Sequence, residues 1–199
     1  MPQQLLKEYF ELPPINEGKQ LSNGKLVFEN IILARADTLN QNGRIYPKRI
    51  LEREFKNYMT AIKERWSVGE LDHIDSSVVQ LKNVSHVVTE ARWDTQDGSV
   101  VRGNIEVLNT PNGKLLQNLY NEGIKLGISS RGVGSLISEG SNLVVQDDFK
   151  LIALDVVSCP STSGAWLSVV SEGLNIIDSG GNLNDNEKFL QTLNEFLKK

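Results

Sequence analysis

Two long strand-like runs, Lys125–Ile137 and Leu143–Cys159, each hold an apolar stretch with polar residues that a buried strand tolerates only with partners. The first contains LGISSRGVG over Leu126–Gly134, which sets two adjacent hydroxyls, Ser129 and Ser130, in a strand-like stretch. The second contains LIALDVVSC over Leu151–Cys159, with Asp155 as its one charged residue. Burying a lone carboxylate costs several kcal/mol, so Asp155 needs a partner or a solvated strand face. Leu151, Ala153 and Val157 share its phase, which argues against the solvated face. An imidazolium is a suitable partner, and the chain holds only two histidines. His73 closes GELDH, Gly69–His73, where a surface turn is the competing reading. His86, in VSHVVTE, is flanked by β-branched residues and reads as strand packing.

Strand alternation separates the two serines. Leu126 and Ile128 share a face with Ser130, whereas Gly127, Ser129, Arg131 and Val133 share the other. Ser130 is therefore expected to point inward, and Ser129 lies beside a glycine that leaves room for a substrate backbone. A serine becomes nucleophilic at neutral pH only with a general base, most often histidine. Ser129 as nucleophile, His73 as base and Asp155 orienting the imidazole form one consistent set. A version with Cys159 as nucleophile is weaker, because Pro160 follows directly and nothing marks the thiol as electropositive.

Composition narrows the setting. The 199 residues suit one domain with a tail, and 39% hydrophobic and 23% charged residues are ordinary for a globular chain. A formal charge of −4 argues against nucleic acid as a partner. No apolar run is long enough for a membrane partner, and the N-terminus lacks a secretion-signal pattern. One cysteine excludes an internal disulfide, and so few histidines and cysteines leave no metal site expected. The expectation is a cytoplasmic protein without cofactor.

The pattern is mainly β with helices, an α+β class closer to a barrel or curled sheet than to alternating β-α units. Residues 1–24 read as an irregular lead-in, punctuated by Pro13-Pro14 and Asn23-Gly24. Lys25–Ala36 reads as a strand, Asn40–Pro47 as a turn, and Ile50, Leu51, Phe55, Tyr58, Met59 and Ile62 recur at helical spacing up to about Trp66. Val78–Asp94 and Ser99–Asn109 pair across Asp97-Gly98, and Pro111–Asn121 is a short helix striped by Leu115, Leu116, Leu119 and Tyr120. The domain proper spans 25–172, and 173–199 forms a linker plus helical tail. Asp178–Asp185 is the linker, and Asn184–Lys199 shows an apolar face of Phe189, Leu190, Leu193, Phe196 and Leu197. That face docks on its own domain, or else binds a partner or is removed.

With NQNGRIYP, GELDH, VSHVVTE, TPNGK, LGISSRGVGS and LDVVSCPSTSGAW in this order, the chain resembles the prohead core proteases of T-even-type tailed bacteriophages. The resemblance runs from about Ile31 to about Leu167 and implies a serine peptidase of the herpesvirus maturational-protease fold, a β-barrel core ringed by a few helices. It implies a homo-oligomeric precursor assembled inside the prohead in the bacterial host cytoplasm. There such enzymes degrade scaffold and core proteins and trim capsid proteins during head maturation. The family's histidine falls on His73, its serine on Ser129 and its third member on Asp155, where herpesvirus enzymes carry a second histidine. Oxyanion stabilisation by backbone N–H groups and arginine points to Arg131, with Ser130 and Gly132 beside it and Ser163 and Gly164 as weaker matches. Relatives cleave after glutamate, with an aliphatic residue two positions before it. That preference asks for a cation, from Arg131 or from Arg44, Lys48 or Arg49. Self-cleavage is then expected after Glu195, and after Glu8 in the lead-in; Ile137-Ser138-Glu139 fits the pattern but precedes a hairpin. The rival from another class is a non-catalytic scaffold that retains the fold. A general esterase would need the Gly-x-Ser-x-Gly elbow, which is missing.

Overall fold

Apolar residues three and four apart bury one face of a helix, and the longest such pattern forms the first helix, α1 (Lys48–Lys63). Ile50, Leu51, Phe55, Tyr58 and Ala61 are buried, while Met59, expected on the same stripe, is 42% exposed. The second helix, α2 (Pro111–Asn121), matches its expected limits. Thr110 caps it by accepting the Gly113 N–H at 3.0 Å, and Pro111 occupies the first turn, where its missing N–H is no loss. The computed structural model describes residues 4–10, 18–21, 24–40, 42–73 and 75–157.

Eleven strands surround these helices among the described residues. They are β1 (Gln4–Phe10), β2 (Gly18–Gln20), β3 (Leu26–Arg35), β4 (Arg44–Ile45), β5 (Val68–Glu70) and β6 (Val84–Trp93). β7 (Val100–Val107), β8 (Gly127–Gly134), β9 (Leu136–Glu139), β10 (Asn142–Val145) and β11 (Lys150–Val157) complete the set. A five-stranded sheet runs in the order β2-β3-β7-β6-β5, and two three-stranded sheets run β1-β8-β11 and β4-β10-β9. The expectation of mainly β structure with helices holds; the linker and tail helix expected over 173–199 lie outside the described residues. The barrel does not: among the described residues these ladders form three sheets, and none closes on itself. Phe28, Ile31, Ile105, Leu116, Ile128 and Leu154 lie in one apolar cluster shared by the sheets and helices.

Residues 1–24 are not simply an irregular lead-in. Strand β1 lies antiparallel to β8, with Tyr9 opposite Ser129 and Glu8 opposite Ser130. Its sequence, QLLKEYF, does not alternate polar and apolar residues, so the strand is specified by pairing to β8 rather than by its own pattern. The two long runs also divide. Asp148 Oδ1 accepts the N–H of Ser135 at 2.9 Å, holding the break between β8 and β9, while Gly140 takes φ 63° in the β9–β10 turn. The strand expected from Val78 begins later, because Leu81–Asn83 form a 3-10 turn before β6. The Asp97-Gly98 hairpin is as expected, with Asp97 O accepting the Val100 N–H at 2.9 Å.

One seam positions the site. β5 belongs to the five-stranded sheet, yet Leu71 just beyond it bridges Val156 of β11 in parallel, and the Asp72 N–H donates to Val156 O at 2.7 Å. The chain leaving β5 thus stitches the two sheets together beside Ser129 and Asp155.

Candidate active site

The approach of β5 to β11 depends on Gly69. A Cβ there would stand 2.1 Å from Leu154 O and 2.3 Å from His86 Nε2, so only glycine lets the strands come this close. Asp72 then turns the chain with φ 69°, a left-handed conformation that aspartate tolerates better than most residues. Its carboxylate accepts the N–H of His73 at 2.8 Å, which fixes the turn that delivers the imidazole.

On the neighbouring sheet, Asp155 of β11 sits directly opposite Ser129 of β8, so both side chains occupy one face. His73 lies between them. Its Nδ1 is 2.8 Å from Asp155 Oδ2, and its Nε2 is hydrogen-bonded to Ser129 Oγ. An ionised carboxylate only accepts, so Nδ1 carries the proton and Nε2 is left free to accept from the hydroxyl. The Ser129, His73 and Asp155 side chains are all buried.

Asp155 is held ionised by four donors. Oδ2 accepts from His73 Nδ1 and, at 2.7 Å, from Arg131 Nε. Oδ1 accepts the N–H of Glu70 at 3.0 Å and Arg131 Nη2 at 3.2 Å. Burial pushes this carboxyl up, but the bonds from His73 and Arg131, the Arg131 charge and the Glu70 N–H outweigh it and hold it below the usual range. Arg131 is buried in turn, and burial alone would lower its pKa; its bonds and attraction to Asp155 and Glu70 raise it instead.

These contacts revise two expectations. Arg131 is expected from the sequence to face the oxyanion or a substrate glutamate, yet Nε, Nη1 and Nη2 are engaged by Asp155, by Ser76 O at 2.7 Å and by the Glu70 carboxylate. From its place diagonal to Asp155 the guanidinium folds back onto the carboxylate, because a buried anion draws the nearest cation. Gly132 is expected to line the same pocket, but a Cβ there would stand 2.4 Å from the Phe149 ring and 2.6 Å from Lys150 O. It is a packing glycine on the face away from Ser129. Ser130 is buried on that second face with Ile128, as the alternation requires. Of the alternative cations, Lys48 lies 3.9 Å from Glu52 and over the Trp93 ring, and Arg49 pairs with Asp147. Ser163, Gly164 and Glu195 lie outside the described residues.

His86 is a buried strand residue. Ser85 Oγ lies 2.9 Å from Nδ1, and Nε2 donates to Leu154 O at 2.9 Å. Desolvation is the main cause that lowers its pKa to about 4, against the attraction of Asp155 and the bond to Leu154 O, so it is neutral. Glu70 stands in the GELDH motif with no role that the sequence alone assigns. Its partner explains it: a buried Arg131 beside one carboxylate has donors left for a second. Among the described residues, no group of three or more histidines, cysteines and acids is arranged to hold a metal ion.

A serine, an imidazole and a buried carboxylate linked in this way are the working parts of a serine hydrolase, whatever their order in the chain. The chain's residues 7–174 match the family of prohead core protein serine proteases, and the chain belongs to that family. It is 31% identical over 159 residues to the prohead core protein protease of Enterobacteria phage T4, covering 77% of this chain and 73% of that one. It is also similar to the solved structure of the bacteriophage T4 capsid assembly protease, with a TM-score of 0.68 and 30% identity, over 79% of this chain and 99% of that one. The protein is a serine protease of this prohead type.

Proposed function

We propose that this protease acts inside the immature phage head, where it degrades scaffold and core proteins and trims capsid proteins as the head matures. The observation that supports it most directly is the His73 imidazole, bonded to Ser129 Oγ on one side and to the ionised Asp155 on the other. Ser129 Oγ attacks the scissile carbonyl carbon while its proton passes to His73 Nε2. The tetrahedral oxyanion collapses, the C–N bond breaks, and His73 returns the proton to the departing amine. Water, deprotonated by His73, then releases the acyl group from Ser129. Asp155 keeps the Nδ1–H tautomer and stabilises the imidazolium formed at each step. Arg131 acts through Asp155, as a residue that positions it.

Cleavage after glutamate rests on the resemblance, and its cation must come from a residue other than Arg131. Self-processing is proposed at Glu195. Glu8 is withdrawn as a site, since it lies in a strand paired to β8, and a protease cuts chain that can leave its pairing.

The test is labelling with a fluorophosphonate together with cleavage of a purified phage scaffold protein. Ser129→Ala and His73→Ala are expected to abolish both while remaining folded. Asp155→Asn should cut cleavage by roughly 10⁴, the loss seen when a triad aspartate becomes an amide. Intact mass after incubation at high concentration should show loss of Phe196–Lys199 only in the active form. A folded wild type that takes no label and leaves scaffold uncut would instead make the chain a non-catalytic core protein.

A further inference from the structure

The buried charges beneath the triad do not cancel. Glu70 and Asp155 contribute two negative charges and Arg131 one positive, all three fully buried. With His73 neutral the cluster carries one excess negative charge, and with His73 protonated it carries none. Asp155 and Arg131 alone would already be neutral, so the excess comes from Glu70. Its carboxylate also has structural bonds: Oε2 meets Arg131 Nη2, and Oε1 accepts the Gln80 N–H at 2.8 Å. Arg131 Nη1 donates to Ser76 O at 2.7 Å, so the same ion pair ties down the loop that follows His73.

We propose that Glu70 is a positioning residue whose negative charge, relayed through Arg131 and Asp155, favours protonation of His73 during catalysis. Among the other groups around the cluster, negative charge lies on the exposed loop residues Asp72 and Asp75, where water and salt screen it. From β8 come Ser129 and Arg131, from β11 Asp155, and from β6 the neutral His86. From α1, the Tyr58 hydroxyl is buried and stays protonated, raised by burial and then by the charge of Asp155. Asp72, beside His73 on the loop, has its carboxylate on the His73 N–H.

The proposal rests on Ser129 and His73 acting as nucleophile and base. Its test is the pH profile of kcat/KM for peptide cleavage by Glu70→Gln, Glu70→Asp and Ser129→Ala. Removing a nearby negative charge disfavours the imidazolium, so Glu70→Gln should move the acid limb down by on the order of one pH unit. On the plateau, kcat should fall roughly tenfold while KM changes by less than about twofold. In either orientation the amide of the Glu70→Gln variant loses one bond, to Arg131 or to the Gln80 N–H. A purely structural role would therefore lower the melting temperature but leave the limb where it was. Glu70→Asp keeps the charge and should keep the wild-type limb despite a lower rate. An unmoved limb in folded Glu70→Gln overturns the proposal. So does a limb displaced in Glu70→Asp by more than about half a unit, which carries the test if Glu70→Gln fails to fold. Cleavage persisting in Ser129→Ala would overturn the nucleophile reading itself; its loss there, with an unmoved limb in Glu70→Gln, overturns only the role of Glu70.

Discussion

Replacing Arg131 by methionine keeps an unbranched, buried side chain and removes its charge and its donors. The wild-type guanidinium bonds both oxygens of Asp155, the Glu70 carboxylate and Ser76 O, and Arg131, Asp155 and Glu70 are fully buried. Removing one partner of a buried ion pair costs about 3–5 kcal/mol, because the charges left behind are neither paired nor solvated. With a urea m-value of about 2 kcal/mol/M, the unfolding midpoint should fall by about 2 M. Against a total stability of about 5–15 kcal/mol, the variant remains folded if the wild type lies above the low end of that range. The pH dependence is the sharper signature. In the wild type Asp155 lies below the usual carboxylate range, so its contribution is present above the unfolded-state value and is lost as pH falls through the lower folded one. In Arg131→Met the Asp155 carboxyl keeps its burial but loses the Arg131 bonds and charge, so its pKa should rise above the wild-type position. The native state should then bind more protons than the wild type does, and the stability penalty should grow as pH rises. The penalty should be largest near pH 8 and shrink toward pH 5. Arg131→Lys, which keeps a charge but not the planar fork, should fall between the two. Urea melts of all three proteins at pH 5, 6.5 and 8 give the answer. A midpoint shift below about 0.5 M, or one equal at every pH, would refute the claim that Arg131 serves the buried carboxylates.

Two further outcomes follow from the seam between the sheets. His86 is lowered to about 4, so between the ordinary histidine value of 6.5 and about 4 the unfolded chain binds a proton that the native state does not. Stability present above pH 6.5 is therefore lost on acidification, by up to about 3 kcal/mol, and His86→Gln should flatten that part of a plot of melting temperature against pH. An unchanged slope would mean His86 is not held neutral. Gly69→Ala sets a methyl 2.1 Å from a backbone carbonyl, which cannot rotate away, so β5 must retreat from β11. At the upper end of the 1–3 kcal/mol typical of overpacking, the melting temperature should drop by about 5–10 °C, and cleavage should fall further than folding does as His73 is displaced. Full activity and an unchanged melt would show that the strands need no such contact.

The amino-acid sequence by itself determined the two helices, the β6–β7 hairpin and the placing of Ser129 and Ser130 on opposite faces of β8. These are local matters: side-chain period, the caps at Thr110 and Pro111, and the turn at Asp97-Gly98 act within a few residues. It also singled out His73, Ser129 and Asp155, because a charge in an apolar strand and a scarcity of histidines restrict the chemistry to few combinations. Tertiary structure alone decided what Arg131 and Glu70 do. Both are long side chains whose direction depends on which buried charge lies nearest, and that is set by β5 meeting β11 across 85 residues of sequence. It decided the fate of residues 4–10 as well. An edge strand that borrows its hydrogen bonds from β8 needs no alternation of its own, so nothing in its sequence announced that it would lie beside the serine.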